Sequence, residues 1–215
     1  WGIREESVYV TGIPVNPKFE LKANGDGILK GLGLNPELPV FLLMGGDYGG
    51  SKTTKRISAH LANSQIPVQT IVLCGRNQKL YESLAEAGAK ASNPLLPLGY
   101  VHNLEDLMSV SSLIITKAGG LTVTEALKKH LPLLIYKPIP GQEEANAEYI
   151  LSLGAGKKAD SEAELLDYIR YFLANPRVIA GMRRKAAAAV PSHSAEKTVA
   201  EMLELLWEHK ASQIS

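Results

Sequence analysis

Short runs of apolar and β-branched residues alternate along the chain with longer segments of helical periodicity. The run Val40-Phe41-Leu42-Leu43-Met44 is apolar throughout, with no alternation of polar and apolar residues. This is typical of strands that are buried on both faces. Because a helical segment separates successive strands, the pattern predicts an α/β fold: a doubly wound (Rossmann-like) parallel sheet with helices on both faces.

We predict strands at residues 7–11, 40–44, 68–74, 95–98, 113–116, 133–136 and about 155–158. We predict helices at about 52–62, 77–88, 103–109, 121–129, 142–152, 161–174, 176–189 and 195–210. Two boundaries carry specific signals: Ser161 and Glu164 form a capping-box pattern, and Asn175-Pro176 ends one helix and begins the next. The length of 215 residues suits a single domain over 1–215.

Composition narrows the classes of function. The chain has 23 basic and 22 acidic residues, so no strong positive field is available to hold nucleic acid, and we expect no nucleic-acid partner. Its one cysteine, Cys74, cannot form an internal disulfide, which favours a reducing, cytoplasmic setting. The apolar runs are far shorter than the ~20 residues that cross a bilayer, so no transmembrane segment is predicted. Because the chain starts on Trp1 rather than Met, we expect it to be part of a longer protein.

Ligands of open parallel sheets bind beyond the carboxyl ends of the strands, and three loops at this edge are candidates. The first follows the strand at 40–44 and carries Gly45 and Gly46, which would let backbone amides approach a phosphate. The loop matches neither a Walker loop nor a GxGxxG fingerprint, so it is either a phosphate contact or a plain strand-to-helix turn. Asp47 is expected to face outward or to meet a sugar hydroxyl.

The second loop contains Gly119 and Gly120, where a strand ends and a helix begins. The first-turn amides of that helix would present partial positive charge to a diphosphate. Thr122 and Glu125 also match a capping box. Glu125 therefore either bonds a backbone amide or accepts the paired hydroxyls of a ribose, and the residues alone leave both interpretations open.

The third loop, residues 137–146, is stiffened by two prolines and leads into another helix. Glu143 and Glu144 are favoured there by the helix dipole alone. In the functional interpretation, Gln142 and Glu143 face the cleft and bond sugar hydroxyls, since an amide offers both donors and acceptors. His102 follows a strand at the same edge, and none of the histidines has the spacing of a metal site.

Together these segments resemble the C-terminal domain of GT-B glycosyltransferases of the monogalactosyldiacylglycerol synthase and processive diacylglycerol glucosyltransferase family. They are similar, more distantly, to the lipid II-forming N-acetylglucosaminyltransferase of peptidoglycan synthesis. The resemblance covers about residues 8–205, and its motifs occur in the order Val10-Thr11-Gly12-Ile13-Pro14-Val15, Leu43-Met44-Gly45-Gly46, Pro97-Leu98-Gly99-Tyr100-Val101, Ile115-Thr116-Lys117-Ala118-Gly119-Gly120-Leu121-Thr122-Val123-Thr124-Glu125-Ala126 and Tyr136-Lys137-Pro138-Ile139-Pro140-Gly141-Gln142-Glu143.

The resemblance implies a UDP-sugar donor site. In that site the backbone around Tyr100, Val101 and His102 receives the uracil, and Glu125 binds the ribose. The residues implied at the diphosphate share amides that face it: Gly119, Gly120, Leu121 and Thr122, helped by Gly45 and Gly46. The residues implied at the hexose share hydrogen-bonding side chains: Gln142, Glu143 and Asn146.

The resemblance also implies an inverting transfer of a hexose to a lipid such as diacylglycerol, with no metal and no cofactor in the donor site. The acceptor site and the general base would belong to an absent N-terminal domain, so this chain would contain no catalytic residue and would be inactive alone. The full-length protein would be peripheral to the membrane. Residues 10–15 would form the first strand after the interdomain linker. Trp207 would either face the absent domain or pack in the core. The alternatives are half of a UDP-sugar 2-epimerase and a stand-alone nucleotide-sugar-binding module.

Overall fold

The computed structural model describes residues 2–44, 50–189 and 193–214, and the described strands form a six-stranded sheet that is parallel throughout. The strands are Val40–Met44 (β1), Gln69–Leu73 (β2), Leu95–Leu98 (β3), Leu113–Thr116 (β4), Leu133–Tyr136 (β5) and Gly156–Ala159 (β6). Their order is β3-β2-β1-β4-β5-β6. The chain therefore winds outward from the centre in both directions, which confirms the predicted doubly wound α/β fold.

The α-helices in this part of the chain are Gly25–Gly31 (α1), Gly50–Ala62 (α2), Gln78–Gly88 (α3), Leu104–Val110 (α4), Gly120–Lys128 (α5), Gln142–Leu153 (α6), Glu162–Ala174 (α7), Pro176–Ala188 (α8) and Ser194–Ile214 (α9). Two short 3-10 turns, Glu5–Ser7 and Pro17–Glu20, precede α1. All eight predicted helices are present, with boundaries that differ by a few residues.

Each face of the sheet has its own apolar core. In β1, Val40 and Leu42 point to one face, where α1, α4, α5 and α6 pack, while Phe41 and Leu43 point to the other, where α2, α3 and α7 pack. The four side chains are at most 4% exposed. The uninterrupted apolar run of this strand thus arises because both of its faces are covered.

The two specific helix signals are confirmed. The Ser161 hydroxyl accepts a hydrogen bond from the Glu164 amide at 3.1 Å, and the Glu164 carboxylate accepts one from the Asp160 amide at 2.9 Å. The first bond satisfies an amide that the start of the helix leaves without a helical partner. The second holds the residue before the N-cap, one position earlier than in a strict capping box. Helix α7 ends at Ala174 and α8 begins on Pro176, as Asn175-Pro176 predicts.

The strand predicted at residues 7–11 is wrong, and so is the strand expected over 10–15. Residues 8–16 run as an irregular segment that pairs with no strand of the described sheet. Val8 and Val10 are 57% and 94% exposed, so the β-branched residues that suggested a strand have no buried face here. Helix α1 escaped prediction because three of its seven residues are glycine, a poor helix former.

Helix α9 keeps an apolar face in solvent. Met202, Leu206 and Trp207 are 58%, 57% and 72% exposed, so the interpretation of Trp207 as a core residue is wrong. None of the helices in the described residues combines the length and the apolar character needed to cross a membrane.

Candidate functional site

A cavity of about 760 Å³ opens at the carboxyl edge of the sheet. Its floor includes Leu43, Leu73 and Ile115, from the ends of β1, β2 and β4. Because β1 and β4 are neighbours although they are distant in sequence, the loops that follow them diverge to opposite faces and leave a crevice. This is the position at which doubly wound sheets bind ligands.

Basic side chains are prominent in the wall of this cavity. Arg76 follows β2, Lys117 follows β4 and Lys137 follows β5. Among the described lining residues, Glu143 is the acidic one, so the wall carries a net positive charge. Arg76 was not predicted as a site residue. The available signal was its position two residues after the strand predicted at 68–74, in a loop that lacks the paired glycines of the other candidates.

The turn between β4 and α5 has an unusual backbone. Ala118 is fully buried and has a φ of 85°, a conformation that residues with a Cβ rarely adopt. Gly119 is the N-cap of α5, and its carbonyl accepts the first helical hydrogen bond, from the Val123 amide at 2.9 Å. Gly119 and Thr122 both line the cavity. The positive end of the α5 helix dipole therefore faces the cavity.

Two other predicted diphosphate residues stand at the margin of this turn. Leu121 is 59% exposed, and neither it nor Gly120 is among the residues that line the cavity. A Cβ built on Gly120 would lie 3.2 Å from the Ile13 side chain, so glycine makes room there for the segment that precedes the sheet.

The capping-box interpretation of Glu125 is wrong, because α5 begins at Gly120 and places Thr122 inside the helix. Glu125 is half-buried and lies one helical turn beyond Thr122, on the same side of the helix. It is not itself a lining residue of the cavity. Burial, and secondarily the negative charge of Glu105 on α4, raise the pKa of the Glu125 carboxyl. A carboxylate in such a place is a candidate for binding a ligand.

The loop after β3 contributes Tyr100 and Val101 to the cavity wall. Tyr100 is 67% exposed, and its ring meets the His102 ring edge-on with 5.1 Å between the centroids. His102 is exposed and lies outside the lining. Val101 and Leu104 bring the start of α4 to the opening.

The loop between β5 and α6 closes another side. Glu143 lines the cavity, and its Oε2 accepts a hydrogen bond from the Ile139 amide at 2.7 Å. Gln142 and Asn146 lie instead beside Gly120, with their amide nitrogens 3.7 and 3.6 Å from a Cβ built there. The Asn146 amide nitrogen donates to the Ala118 carbonyl at 3.0 Å. Gly45 and Gly46, predicted to contact phosphate, lie outside the described residues, as does Asp47.

A profile of the "Glycosyltransferase family 28 C-terminal domain" matches residues 42–204, which run from β1 into α9. The chain belongs to this family. The resemblance predicted from the sequence is thereby confirmed.

Two curated relatives have clear sequence similarity to this chain. This family 28 domain is 33% identical over 202 residues to the "Processive diacylglycerol beta-glucosyltransferase" of Bacillus subtilis (strain 168), covering 94% of this chain and 53% of that protein. The protein of the same name from Staphylococcus saprophyticus is 32% identical over 205 residues, covering 95% and 52%. The family 28 domain thus spans about half the length of the curated relatives it matches.

Solved structures share the fold. MurG of Acinetobacter baumannii superimposes with a TM-score of 0.68 at 22% identity, covering 82% of this chain and 53% of that one. The C-terminal CMP-Kdo binding domain of WaaA from the same organism superimposes with a TM-score of 0.59 at 14% identity, covering 75% and 93%. At these identities the likeness concerns the fold, which is that of GT-B glycosyltransferases.

Proposed function

We propose that this domain binds a UDP-sugar and holds it for transfer of the hexose to a lipid acceptor such as diacylglycerol, with inversion at the anomeric carbon. The observation that carries the proposal is the cavity, which combines an apolar floor, a basic wall and the N-terminus of α5. The names of the curated relatives support the hexose and the lipid. Because the chain spans about half their length, the complete reaction is part of the proposal.

The diphosphate would lie against the β4–α5 turn. The Gly119 N-cap has no side chain that could occupy the first-turn amides, so these amides are available to phosphate oxygens. Arg76, Lys117 and Lys137 would complement the negative charge from three loops. The proposal includes no metal, since amides and basic side chains supply the positive charge.

The nucleoside would extend from this turn toward α4. A carboxylate can accept hydrogen bonds from both hydroxyls of a ribose, and Glu125 is one helical turn from the cavity residue Thr122. The uracil would rest against the backbone near Val101, with Tyr100 and His102 at its edge. This order places phosphate, ribose and base along α5 and toward the start of α4.

The hexose would face the β5–α6 loop. One oxygen of Glu143 already holds the Ile139 amide, which fixes the carboxylate and leaves further acceptor positions for a sugar hydroxyl. Gln142 is exposed beside Gly120 and can offer an amide to the same sugar. The discrimination among hexoses would follow from which hydroxyls these two side chains meet.

In the proposed reaction the acceptor oxygen bonds to the anomeric carbon as the bond from that carbon to UDP breaks. The electron pair goes to the β-phosphate oxygen, where the α5 amides and the basic wall stabilise the growing charge. A general base must remove the proton of the acceptor hydroxyl. We place that base, the acceptor site and peripheral contact with the membrane in the other half of the complete enzyme, so this chain alone would bind the donor without transferring it.

The test is a calorimetric titration with UDP, UDP-glucose, UMP and ADP, with the thermal unfolding followed in parallel. We expect saturable binding of UDP, weaker binding of UMP because one phosphate is missing, and weaker binding of ADP because the base differs. UDP at a hundred times its Kd should stabilise the fold by about 2.7 kcal/mol. No heat and no change in Tm at millimolar UDP would contradict the proposal.

A further inference from the structure

The strained turn at Ala118 needs a structural partner that keeps it in place. A residue with a Cβ at a φ of 85° persists only where its surroundings determine the conformation. Ala118 is fully buried between β4 and α5, so its carbonyl needs a hydrogen-bond donor from the protein. That donor is the side-chain amide of Asn146, at 3.0 Å, from a helix 28 residues further along the chain.

The direction of this hydrogen bond also fixes the next amide. The Ala118 carbonyl and the Gly119 N–H belong to the same peptide plane, and in a trans peptide these two groups point in opposite directions. The backbone of the described residues contains no cis peptide. With the carbonyl held toward α6 by Asn146, the Gly119 N–H is directed away from α6, and Gly119 lines the cavity.

The neighbouring amide side chain gives a comparison within the same helix. Gln142 lies one turn before Asn146, and both amide nitrogens are within 3.7 Å of a Cβ built on Gly120. Among the described residues, Asn146 hydrogen-bonds to the turn and Gln142 does not. Two similar groups at nearly the same place therefore differ in one contact.

We infer that Asn146 is a positioning residue: its amide locks the Ala118–Gly119 peptide so that the Gly119 N–H is aimed at the diphosphate. The inference rests on the proposed function and deepens it, because it moves Asn146 from the hexose to the leaving-group end of the donor. Gln142 keeps the role of a sugar contact. The two residues must then respond differently to donors with and without a hexose.

The first experiment compares the variant Asn146→Ala with a matched control, Gln142→Ala, by titration with UDP and with UDP-glucose. Loss of one hydrogen bond should weaken binding roughly threefold to tenfold. We expect Asn146→Ala to weaken the binding of both ligands by the same factor. We expect Gln142→Ala to weaken the binding of UDP-glucose and to leave the binding of UDP unchanged. If Asn146→Ala weakens UDP-glucose alone, the inference is overturned, although the UDP site itself stands.

The second experiment needs no ligand, so it decides the inference even if UDP does not bind. Amide exchange of Val123, which bonds the Gly119 carbonyl, reports on the turn, and exchange of Leu131, which bonds the Ala126 carbonyl, reports on the far end of α5. We expect Asn146→Ala to accelerate exchange at Val123 roughly threefold to tenfold with Leu131 unchanged. Equal exchange at Val123 in the two proteins would overturn the inference.

A rescue separates positioning from a general loss of stability. Glycine adopts a positive φ without the crowding of a Cβ, so Ala118→Gly makes the turn less dependent on its lock. Asn146→Ala should weaken the binding of UDP and accelerate amide exchange at Val123 in both backgrounds. We expect both factors to be smaller in the Ala118→Gly protein than in the wild type. Additive effects of the two substitutions would show that Asn146 does not act through the turn.

Discussion

Replacing Glu125 by glutamine should make the domain more stable at neutral pH and at the same time weaken its binding of UDP. Burial, and secondarily the charge of Glu105, raise the pKa of Glu125 above its ordinary value of 4.5. The ionised carboxylate therefore destabilises the fold. Glutamine has nearly the same shape and no charge, so Glu125→Gln removes this penalty without opening a cavity.

The pH dependence of the stability gain follows from proton binding. Between the ordinary pKa and the raised one, the folded protein binds more protons than the unfolded chain, so stability falls as the pH rises through this window. The penalty is complete above the window and absent below it. Glu125→Gln should thus raise Tm at pH 7, and the difference from the wild type should vanish as the pH falls below 4.5.

Glu125→Gln should also weaken the binding of UDP. A carboxylate that accepts both ribose hydroxyls makes two charge-assisted hydrogen bonds, and glutamine keeps one neutral acceptor. The loss of one such bond corresponds to about 1.5–3 kcal/mol, or roughly 10- to 150-fold in the Kd for UDP. For the wild type, the affinity for UDP should also fall as the pH drops through the raised pKa, because the protonated carboxyl accepts less well.

The assay is thermal unfolding and calorimetry at pH 7 and at a pH below 4.5 for the wild type, Glu125→Gln and the control Glu86→Gln, which removes an exposed carboxylate from α3. The control should change neither Tm nor the Kd for UDP appreciably. Glu125 does not have the expected role if Glu125→Gln binds UDP as tightly as the wild type, or if the Tm of this variant at pH 7 is lower than that of the wild type.

Three further substitutions test the site and its frame by the same two measurements. Gly119 has a φ of −59°, and a Cβ built on it would meet nothing nearer than Thr122 Oγ1 at 4.0 Å, so Gly119→Ala should leave Tm unchanged. Its methyl group in the cavity should weaken the binding of UDP by about 1–3 kcal/mol. An unchanged Kd would place the diphosphate elsewhere. Arg76→Ala should weaken UDP about twofold to fivefold at low salt and less at high salt, and a salt-independent loss would argue against a charge effect. Glu20→Ala removes the carboxylate that bonds the 4%-exposed Lys128 side chain at 2.5 Å, and it should lower stability by about 3 kcal/mol, or roughly 6–12 °C in Tm, with an unchanged Kd for UDP.

The sheet could be predicted from the sequence largely because its central strands are buried on both faces. Four of the six strands, β1, β3, β4 and β5, are mostly apolar runs, and each predicted position is within a few residues of the strand observed. The failure at residues 7–11 has the same origin. Valine and tyrosine favour an extended backbone, but a strand also needs a paired edge, and the sequence does not say whether one exists.

The site was predictable in outline and not in its contacts. The strand ends identified the loops that meet, since parallel strands bring their carboxyl ends to one edge. The capping-box pattern at Thr122 failed because the N-cap of the helix is Gly119, three residues earlier, and helix starts are uncertain by this amount in sequence patterns. The left-handed Ala118 could not be foreseen, because alanine gives no sign of a positive φ that a distant side chain, Asn146, holds in place.

Several features that destabilise this fold lie around the cavity. Ala118 and Lys137 have φ values of 85° and 48° in the loops after β4 and β5, and Glu125 is a half-buried carboxylate with a raised pKa. Of the other two described non-glycine residues of positive φ, His130 follows the end of α5, where a left-handed residue commonly terminates a helix, and His193 directly precedes α9. Strain and desolvation at the carboxyl edge of the sheet are tolerated because the two cores of the sheet hold the loops. Substitutions that relieve either one should therefore raise stability and lower affinity together, whereas substitutions in the frame should change stability alone.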